Sequence, residues 1–190
     1  SPGAPDAARC FLKGDENSLS RFTERMRYNP SQIGQINYLA SYGGFRLMDV
    51  VSYERKHNEA NGEDNHDGEN YNCSWNCGEE GESSKRNILA LRSRLIRNAL
   101  CFLMLSQGTP FLFMGDECGK TGYGNNNPYC QDNETTWLQW KHSRRQQSIL
   151  HYTQELIRLR LSHPILHRAK QSRIMDTLSC GFPDLSYHGR

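Results

Sequence analysis

The chain has 190 residues, enough for one ordinary domain, and its aromatic fraction of 10% is too high for a disordered protein. Its 23 basic residues nearly balance its 21 acidic ones, and a net charge of +2 argues against nucleic acid or an anionic membrane as a partner. The longest apolar run, residues 99–106, is far shorter than the roughly 20 residues of a membrane span. The first residues lack the pattern of a signal peptide, and seven cysteines without a regular framework predict reduced thiols in the cytoplasm.

The N-terminal third alternates between loop and short regular elements. Residues 1–17 are rich in Pro, Gly, Ala and Asp and predict a loop, whereas residues 18–29 predict a short helix that ends before Pro30. "QINYLA", residues 35–40, is a strand candidate. Residues 45–56 then predict one or two helical turns, on which we expect Asp49 to be solvated or paired four residues along the helix.

Two helices are predicted next, each beside a long polar loop. Residues 57–84 are almost entirely polar, and a loop of that length is usually functional or disordered. Residues 84–106 have apolar side chains at three- and four-residue spacing, which predicts an amphipathic helix capped by Ser83 or Ser84 and ended by Gly108. A second loop covers residues 118–140, and a second helix lies within residues 148–166 and stops at Pro164.

"TPFLFMGDE", residues 109–117, is a short apolar run that ends in an acidic pair. It predicts a buried parallel strand with Asp116 and Glu117 at its C-terminal end. Strands that alternate with helices predict an α/β fold with a parallel sheet. Because two strands leave unpaired edges, we expect the chain to be part of something larger or to associate with itself.

Several kinds of site find little support. Cys73 and Cys77 form a C-x3-C pair without a second pair, so zinc is a weak alternative to plain loop thiols. A calcium loop starting at Glu63 fails because its twelfth residue is Ser74, where a bidentate glutamate is required. No G-x-S-x-G, Walker A or dinucleotide motif occurs. The sequence therefore predicts no metal and no cofactor.

The composition of both loops is typical of carbohydrate binding. Neutral sugars are held by amides and carboxylates and stack on aromatic rings. The alternative is that these Asn, Gly and Asp residues only form turns. The candidate substrate-binding residues in the loops are His57, Asn58, Glu59, Asn125, Asn126, Asn127, Tyr129, Gln131 and Asp132.

A family resemblance covers roughly residues 33–168. The stretches "INYLASYGGFRLMDVVSYERKHNEANGEDNHDGENYNCSWNCGEEG", "LSQGTPFLFMGDECG", "GNNNPYCQDNETTWLQW" and "LIRLRLSHPIL" resemble the bacterial glycogen-debranching enzymes, in the isoamylase-like branch of the α-amylase family. The resemblance implies hydrolysis of α-1,6 branch linkages in an α-glucan by a (β/α)8 barrel. It makes "QINYLA" similar to barrel strand seven and "TPFLFMGDE" similar to strand eight.

The same resemblance sets the expected domain limits. Residues 1–30 are expected to form an N-terminal loop and short helix. Residues 31–168 are expected to form the last two or three β/α units of a TIM barrel. Residues 169–190, which are β-like in composition, are expected to begin a C-terminal β domain.

The resemblance also implies that catalytic groups are missing. The family's nucleophilic aspartate and acid/base glutamate follow strands four and five, which this chain does not contain. Aligned without a gap, Tyr42 and Gly43 occupy the His and Asp positions of a His-Asp-Gly-Phe motif after strand seven. No residue is therefore expected to be catalytic. Tyr42, Asp116 and Glu117 are expected to bind substrate, with structural support as an equal alternative for the two acids.

Three functions remain open from the sequence. The chain is expected to be part of a debranching-type hydrolase that is inactive alone. The first alternative is a noncatalytic α-glucan-binding relative, and the second is an unrelated α/β module.

Overall fold

The computed structural model describes residues 4–188. Its helices are α1 (Ala4–Lys13), α2 (Ser18–Arg27), α3 (Leu47–Val50), α4 (Arg86–Leu105) and α5 (Arg144–Ser162), and its strands are β1 (Ile36–Asn37) and β2 (Thr109–Pro110). Short 3-10 turns cover Glu59–Asn61, Asp116–Cys118 and Pro164–His167. Among residues 4–188, no helix is both long and apolar enough to cross a bilayer.

The two strands pair in parallel, with Ile36 opposite Thr109 and Asn37 opposite Pro110. The Thr109 amide donates to the Gln35 carbonyl (2.8 Å), and the Phe111 amide donates to the Asn37 carbonyl (2.7 Å). The chain returns between them through α4. The predicted parallel pair with a crossover helix is therefore confirmed.

Both strands are shorter and more exposed than predicted. Each has two residues, and the continuation of β2 leaves Phe111 and Met114 exposed. A parallel strand is normally covered on both faces and both edges. Within residues 4–188, β1 and β2 pair only with each other, so the apolar run 109–114 has one neighbouring strand instead of two.

The N-terminal segment differs from its prediction. Residues 1–17 were expected to be a loop, but Ala4–Lys13 are helical, and Gly14 ends the helix at φ +89°. The Phe11 ring stacks on Phe22 of α2 at a centroid distance of 4.3 Å, and Phe22 packs on Phe102 of α4. This aromatic contact provides α1 with tertiary packing, which outweighs the turn-like composition of the segment.

The hydrophobic core lies between α3, α4 and α5. Leu47, Ile96, Leu100 and Ile149 are its fully buried aliphatic side chains. Burying each of these contributes roughly 1.5–3 kcal/mol to the stability of the fold. The two long helices that the apolar spacing predicted are thus confirmed. Their packing fixes the ends of the loops that adjoin them.

The helix ends differ in detail from the predicted ones. The N-cap of α4 is Lys85, without a side-chain hydrogen bond, and α4 ends at Leu105 with Ser106 as its C-cap, ahead of Gly108. The predicted cap Ser83 instead accepts a hydrogen bond from the Lys85 amide. Helix α5 begins earlier than predicted because Ser143 and Gln146 form a reciprocal capping box.

Residues 169–188 form turns and bends, and no strand is assigned to them. The Tyr187 hydroxyl donates to the Thr23 carbonyl (3.0 Å), which joins this segment to α2. Asp184 pairs with both Arg168 (2.8 Å) and Arg173 (2.9 Å). The assignment of this tail to a β domain stays a prediction.

Candidate functional site

The two long polar loops lie against each other. We call residues 57–84 the first loop and residues 118–140 the second loop. The His57 amide donates to the Gly124 carbonyl (2.7 Å), which joins the beginning of the first loop to the second. The structure thus brings together the two segments in which the sequence predicted carbohydrate-binding residues.

A reciprocal pair of asparagines forms the centre of this contact. The Asn58 side chain donates from Nδ2 to Asn126 Oδ1 (2.8 Å). The backbone amide of Asn126 donates in return to Asn58 Oδ1 (3.0 Å). Asn126 also donates to Asn72 Oδ1 (3.1 Å). Asn58 is fully buried and Asn126 is nearly so. Buried amides must be hydrogen-bonded, so these side chains hold the loops in one arrangement.

Asp67 accepts hydrogen bonds from several side-chain amides beside this pair. Its Oδ2 accepts hydrogen bonds from Asn61 (2.8 Å) and Asn127 (2.9 Å), and Asn58 lies 3.3 Å away. The bond from Asn61 is the largest cause that holds the pKa of Asp67 below its ordinary value. We call Asn58, Asn61, Asn72, Asn125, Asn126, Asn127 and Asp67 the amide network.

The remaining predicted residues form the outer surface of the loops. The Tyr129 hydroxyl donates to Glu63 (2.8 Å), Gln131 donates to Asn61 (2.8 Å), and His57 contacts Glu80 (3.1 Å). The candidates divide by exposure. Asn58, Asn125, Asn126 and Asp116 are buried, Glu117, Asn127 and Gln131 are half-buried, and Tyr42, His57, Glu59, Tyr129 and Asp132 are exposed.

The buried asparagines therefore use their polar atoms within the protein. Asn125 donates to Asn61 Oδ1 (2.9 Å) and accepts from the Asn127 amide (2.9 Å). In this arrangement the buried amides shape the loops, and the exposed residues are the ones available to a ligand. Contact between the candidate residues and a sugar stays a prediction.

The acidic pair after β2 also has internal partners. Asp116 is buried, and its Oδ1 accepts a hydrogen bond from the Leu47 amide (3.1 Å) at the first turn of α3. Glu117 Oε2 accepts from the Gly115 amide (2.7 Å). These contacts favour the structural alternative for Asp116, since its side chain fixes α3 beside the end of β2.

Asp49 is not solvated, contrary to the expectation from the sequence. It is fully buried and accepts hydrogen bonds from Thr121 Oγ1 (2.5 Å) and the Gly122 amide (2.7 Å). Burial raises the pKa of Asp49 to about 6 and that of Asp116 to about 7, even though hydrogen bonds and Arg46 oppose the shift in both. The expectation was wrong because the partner lies 72 residues away in the second loop.

We expect stability to depend on pH between about 4 and 7. Because the folded-state pKa of both acids lies above the unfolded value, the folded protein binds more protons, and stability falls as pH rises through this window. The free energy of unfolding should be lower at pH 7 than at pH 5 by about 3–4 kcal/mol. Urea unfolding at the two pH values measures this. Asp116→Asn should reduce the difference, and an unchanged difference in that variant would contradict the assignment.

Tyr42 and Gly43 lie in an open turn between β1 and α3. Tyr42 is 62% exposed. A Cβ added at Gly43 would meet nothing within 4 Å, and Gly43 is not among the residues with positive φ. The backbone would therefore accept the histidine and aspartate that the family resemblance expects at these two positions.

The double substitution Tyr42→His/Gly43→Asp should leave stability within about 0.5 kcal/mol of the parent, because both side chains would point into open space. Urea unfolding followed by tryptophan fluorescence measures this. Gly44→Asp is the matched control, since Gly44 has equal space but a φ of +154° that side chains rarely adopt. Equal destabilisation by both variants would show that the turn does not accept the motif.

Two exposed tryptophans were not predicted from the sequence as candidate site residues. Trp137 and Trp140 are 56% and 85% exposed at the end of the second loop, and Trp137 Nε1 donates to Asp132 (2.9 Å). They lie in the short stretch Trp-Leu-Gln-Trp, which has neither strand nor helix periodicity. Between residues 4 and 188, no group of three or more His, Cys, Asp or Glu side chains is placed to hold a metal ion.

The chain has many similar sequences. It is 50% identical to the glycogen debranching enzyme of Erwinia tasmaniensis over 133 residues, which cover 70% of this chain and 20% of that protein. It is 43% identical to the glycogen operon protein GlgX homolog of Mycobacterium tuberculosis (87% of this chain, 24% of that protein). It is also 43% identical to chloroplastic isoamylase 3 of rice (86% and 22%). None of the protein-family models matches.

Solved structures agree in fold. A pullulanase from Bacillus acidopullulyticus superposes with a TM-score of 0.60 at 20% identity, over 83% of this chain and 16% of that chain. A pullulanase variant from Paenibacillus barengoltzii, complexed with maltotetraose, gives 0.61 at 23% identity, over 85% and 22%. The chain spans about a quarter or less of the relatives it matches. Within that span, the chain is homologous to glycogen-debranching enzymes and isoamylases.

Proposed function

We propose that this chain forms the seventh and eighth β/α units of a (β/α)8 barrel in a debranching-type α-glucan hydrolase. The observation that carries the proposal is the parallel pair β1–β2 with α4 as its crossover, followed by α5. This order matches two successive β/α units, and active-site residues of such barrels lie at the C-terminal ends of the strands. Along the chain, the first loop lies between β1 and α4, and the second loop lies between β2 and α5.

The substrate class follows from the loops and the relatives. Two of the relatives named above carry glycogen in their names, and pullulanases with the same fold have been solved with maltotetraose. Exposed aromatic and polar side chains, among them Tyr42, Tyr129 and Trp137, suit the hydroxyls and ring faces of a neutral α-glucan. Within this proposal the chain acts in the cytoplasm, with neither nucleic acid nor a membrane as a partner.

Under the proposal, this chain by itself does not hydrolyse glucan. A retaining glycosidase needs two carboxyl groups about 5 to 5.5 Å apart on either side of the scissile bond. Asp49 and Asp116 are both completely enclosed, and they accept hydrogen bonds from the chain itself. They have no access to a sugar, so they do not replace the family's missing pair.

A chimaera tests the assignment. Residues 33–168 of this chain would replace the matching stretch in the debranching enzyme of E. tasmaniensis, which retains its own upstream barrel. We expect the chimaera to lose at least about 1000-fold in debranching rate, since an electrostatic stabiliser is missing. We expect Tyr42→His/Gly43→Asp to restore most of it. A folded double variant without recovered activity would refute the barrel-unit assignment.

A noncatalytic α-glucan-binding role is the second candidate. The exposed Trp137 and Trp140 favour it, because stacking platforms need no carboxylate pair. Titration of the purified chain with maltohexaose, followed by tryptophan fluorescence, separates the two. Saturable binding that is lost in Trp137→Ala would support the binding role, and no binding is expected for an unclosed barrel.

The proposal also includes self-association. Ile36, Phe111 and Met114 leave an exposed apolar surface along the strand pair. Exposed strand edges of this kind pair readily with another chain. Sedimentation velocity should show assemblies whose fraction rises with concentration, and a strictly monomeric chain would contradict this part of the proposal.

A further inference from the structure

Two thiols that are far apart in sequence meet where α1 packs on the first loop. Cys10 Sγ and Cys73 Sγ lie 3.2 Å apart, although 63 positions separate them along the chain. The sulfur atoms of a disulfide are about 2.05 Å apart, so a relative shift of about 1 Å would join them. Both residues are reduced in the structure.

The surrounding contacts hold the two segments in register. The Arg9 guanidinium donates from Nη1 to the Asn72 carbonyl (3.1 Å) and from Nε to the Leu39 carbonyl (2.8 Å). Arg9 precedes Cys10, and Asn72 precedes Cys73. The hydrogen bond between the residues that precede the two cysteines therefore positions the thiol pair, which gives it a high effective concentration.

We propose that Cys10 and Cys73 form a thiol–disulfide modification site that a small-molecule disulfide, such as oxidised glutathione, converts into an intramolecular cross-link. Cys10 is the entry point because it is half-buried, whereas Cys73 is only 4% exposed. Cytosolic disulfides of this kind are transient and respond to the redox state.

The exchange is balanced. The Cys10 thiolate attacks one sulfur of oxidised glutathione, which forms a mixed disulfide and releases one glutathione thiolate. The Cys73 thiolate then attacks Cys10 Sγ, which forms the protein disulfide and releases the second glutathione. The two protons from the protein thiols end on the two glutathione thiols. Burial is the largest cause that raises the pKa of Cys10 to about 12, followed by contact with Cys73, so the reaction is slow at neutral pH.

The cross-link would act on the amide network. Asn72 is the residue before Cys73, and its side chain accepts from Asn126 in the second loop (3.1 Å). A bond from Cys73 to α1 therefore anchors the first loop at the point where it holds the second. Oxidation is expected to restrict both loops, and this inference does not depend on which ligand they take.

The full 190-residue chain would be incubated with excess oxidised glutathione, alkylated and digested for mass spectrometry. We expect a linked pair of peptides containing Cys10 and Cys73, with a loss of two hydrogen atoms. We also expect a Tm higher by about 5 °C or more that dithiothreitol reverses. The same incubation in concentrated urea should yield less than about a tenth of the linked pair, since only the fold brings the thiols together.

Matched variants decide between this site and general thiol oxidation. Cys73→Ser should abolish the Tm rise, and Cys10→Ser gives the same readout if Cys73→Ser does not fold. Cys101→Ser removes another half-buried thiol, on α4, and should leave both the cross-link and the Tm rise intact. Alkylated or singly glutathionylated Cys10 and Cys73 without a linked peptide would overturn the proposal.

Discussion

Gly68→Ala should destabilise the protein by about 3 kcal/mol or more. Gly68 has φ +72°, and an added Cβ would overlap Asn126 Oδ1 and approach Asn58 Nδ2 to 2.8 Å. The left-handed backbone costs a side chain about 1–2 kcal/mol, and displacing the buried amides leaves them without partners at about 1–3 kcal/mol each. Urea unfolding by fluorescence is the measurement, because the three tryptophans, Trp75, Trp137 and Trp140, all lie in the two loops.

Gly62→Ala is the control for this substitution. Gly62 lies in the same loop with a similar φ of +80°, but an added Cβ would meet nothing within 4 Å. Gly62→Ala should therefore lower the free energy of unfolding only by the backbone cost of about 1–2 kcal/mol. If Gly62→Ala and Gly68→Ala had the same effect, the buried amides would not be what fixes the loops.

Arg160→Leu should lower the free energy of unfolding by about 3 kcal/mol. Arg160 of α5 is buried and donates to the carbonyls of Met104 (2.6 Å) and Ser106 (2.8 Å) and to that of Gly108. These carbonyls form the end of α4 and the approach to β2. Leucine fills much of the space but leaves three carbonyls without a donor. Thermal and urea unfolding followed by circular dichroism measures the loss.

Arg158→Leu on the same helix provides the comparison. Arg158 is exposed and pairs with Glu155, one turn earlier on the surface of α5. Such surface pairs contribute little, so the change should stay within about 0.5 kcal/mol. A loss in Arg158→Leu as large as that in Arg160→Leu would mean that charge on α5, and not the carbonyl contacts, determines the effect.

The sequence predicted what short-range periodicity encodes. The apolar spacing of residues 84–106 gave α4, and Pro30 and Pro164 stopped the helices before them. The parallel pairing of β1 and β2 followed from the alternation of strands with helices. The two loops that the residue types singled out contact each other through the His57 amide and the Gly124 carbonyl, and their role in binding stays a prediction.

Long-range partners explain what was missed. Helix α1 is stabilised by Phe11 stacking on Phe22, which composition does not reveal. Asp49 is buried because Thr121 and Gly122 donate to it from the second loop. The asparagines expected to face a sugar are partly internal, since Asn58 and Asn126 bond each other. Amides that build a loop and amides that bind a sugar look the same in sequence.

Release of reducing ends from a branched α-glucan by the purified chain tests the central claim most directly. The account predicts no release above a protein-free blank, since the enclosed Asp49 and Asp116 do not reach a substrate. The unmodified debranching enzyme of E. tasmaniensis is the positive control. Release that scales with the concentration of this chain, and that is lost in Asp116→Asn, would contradict the account.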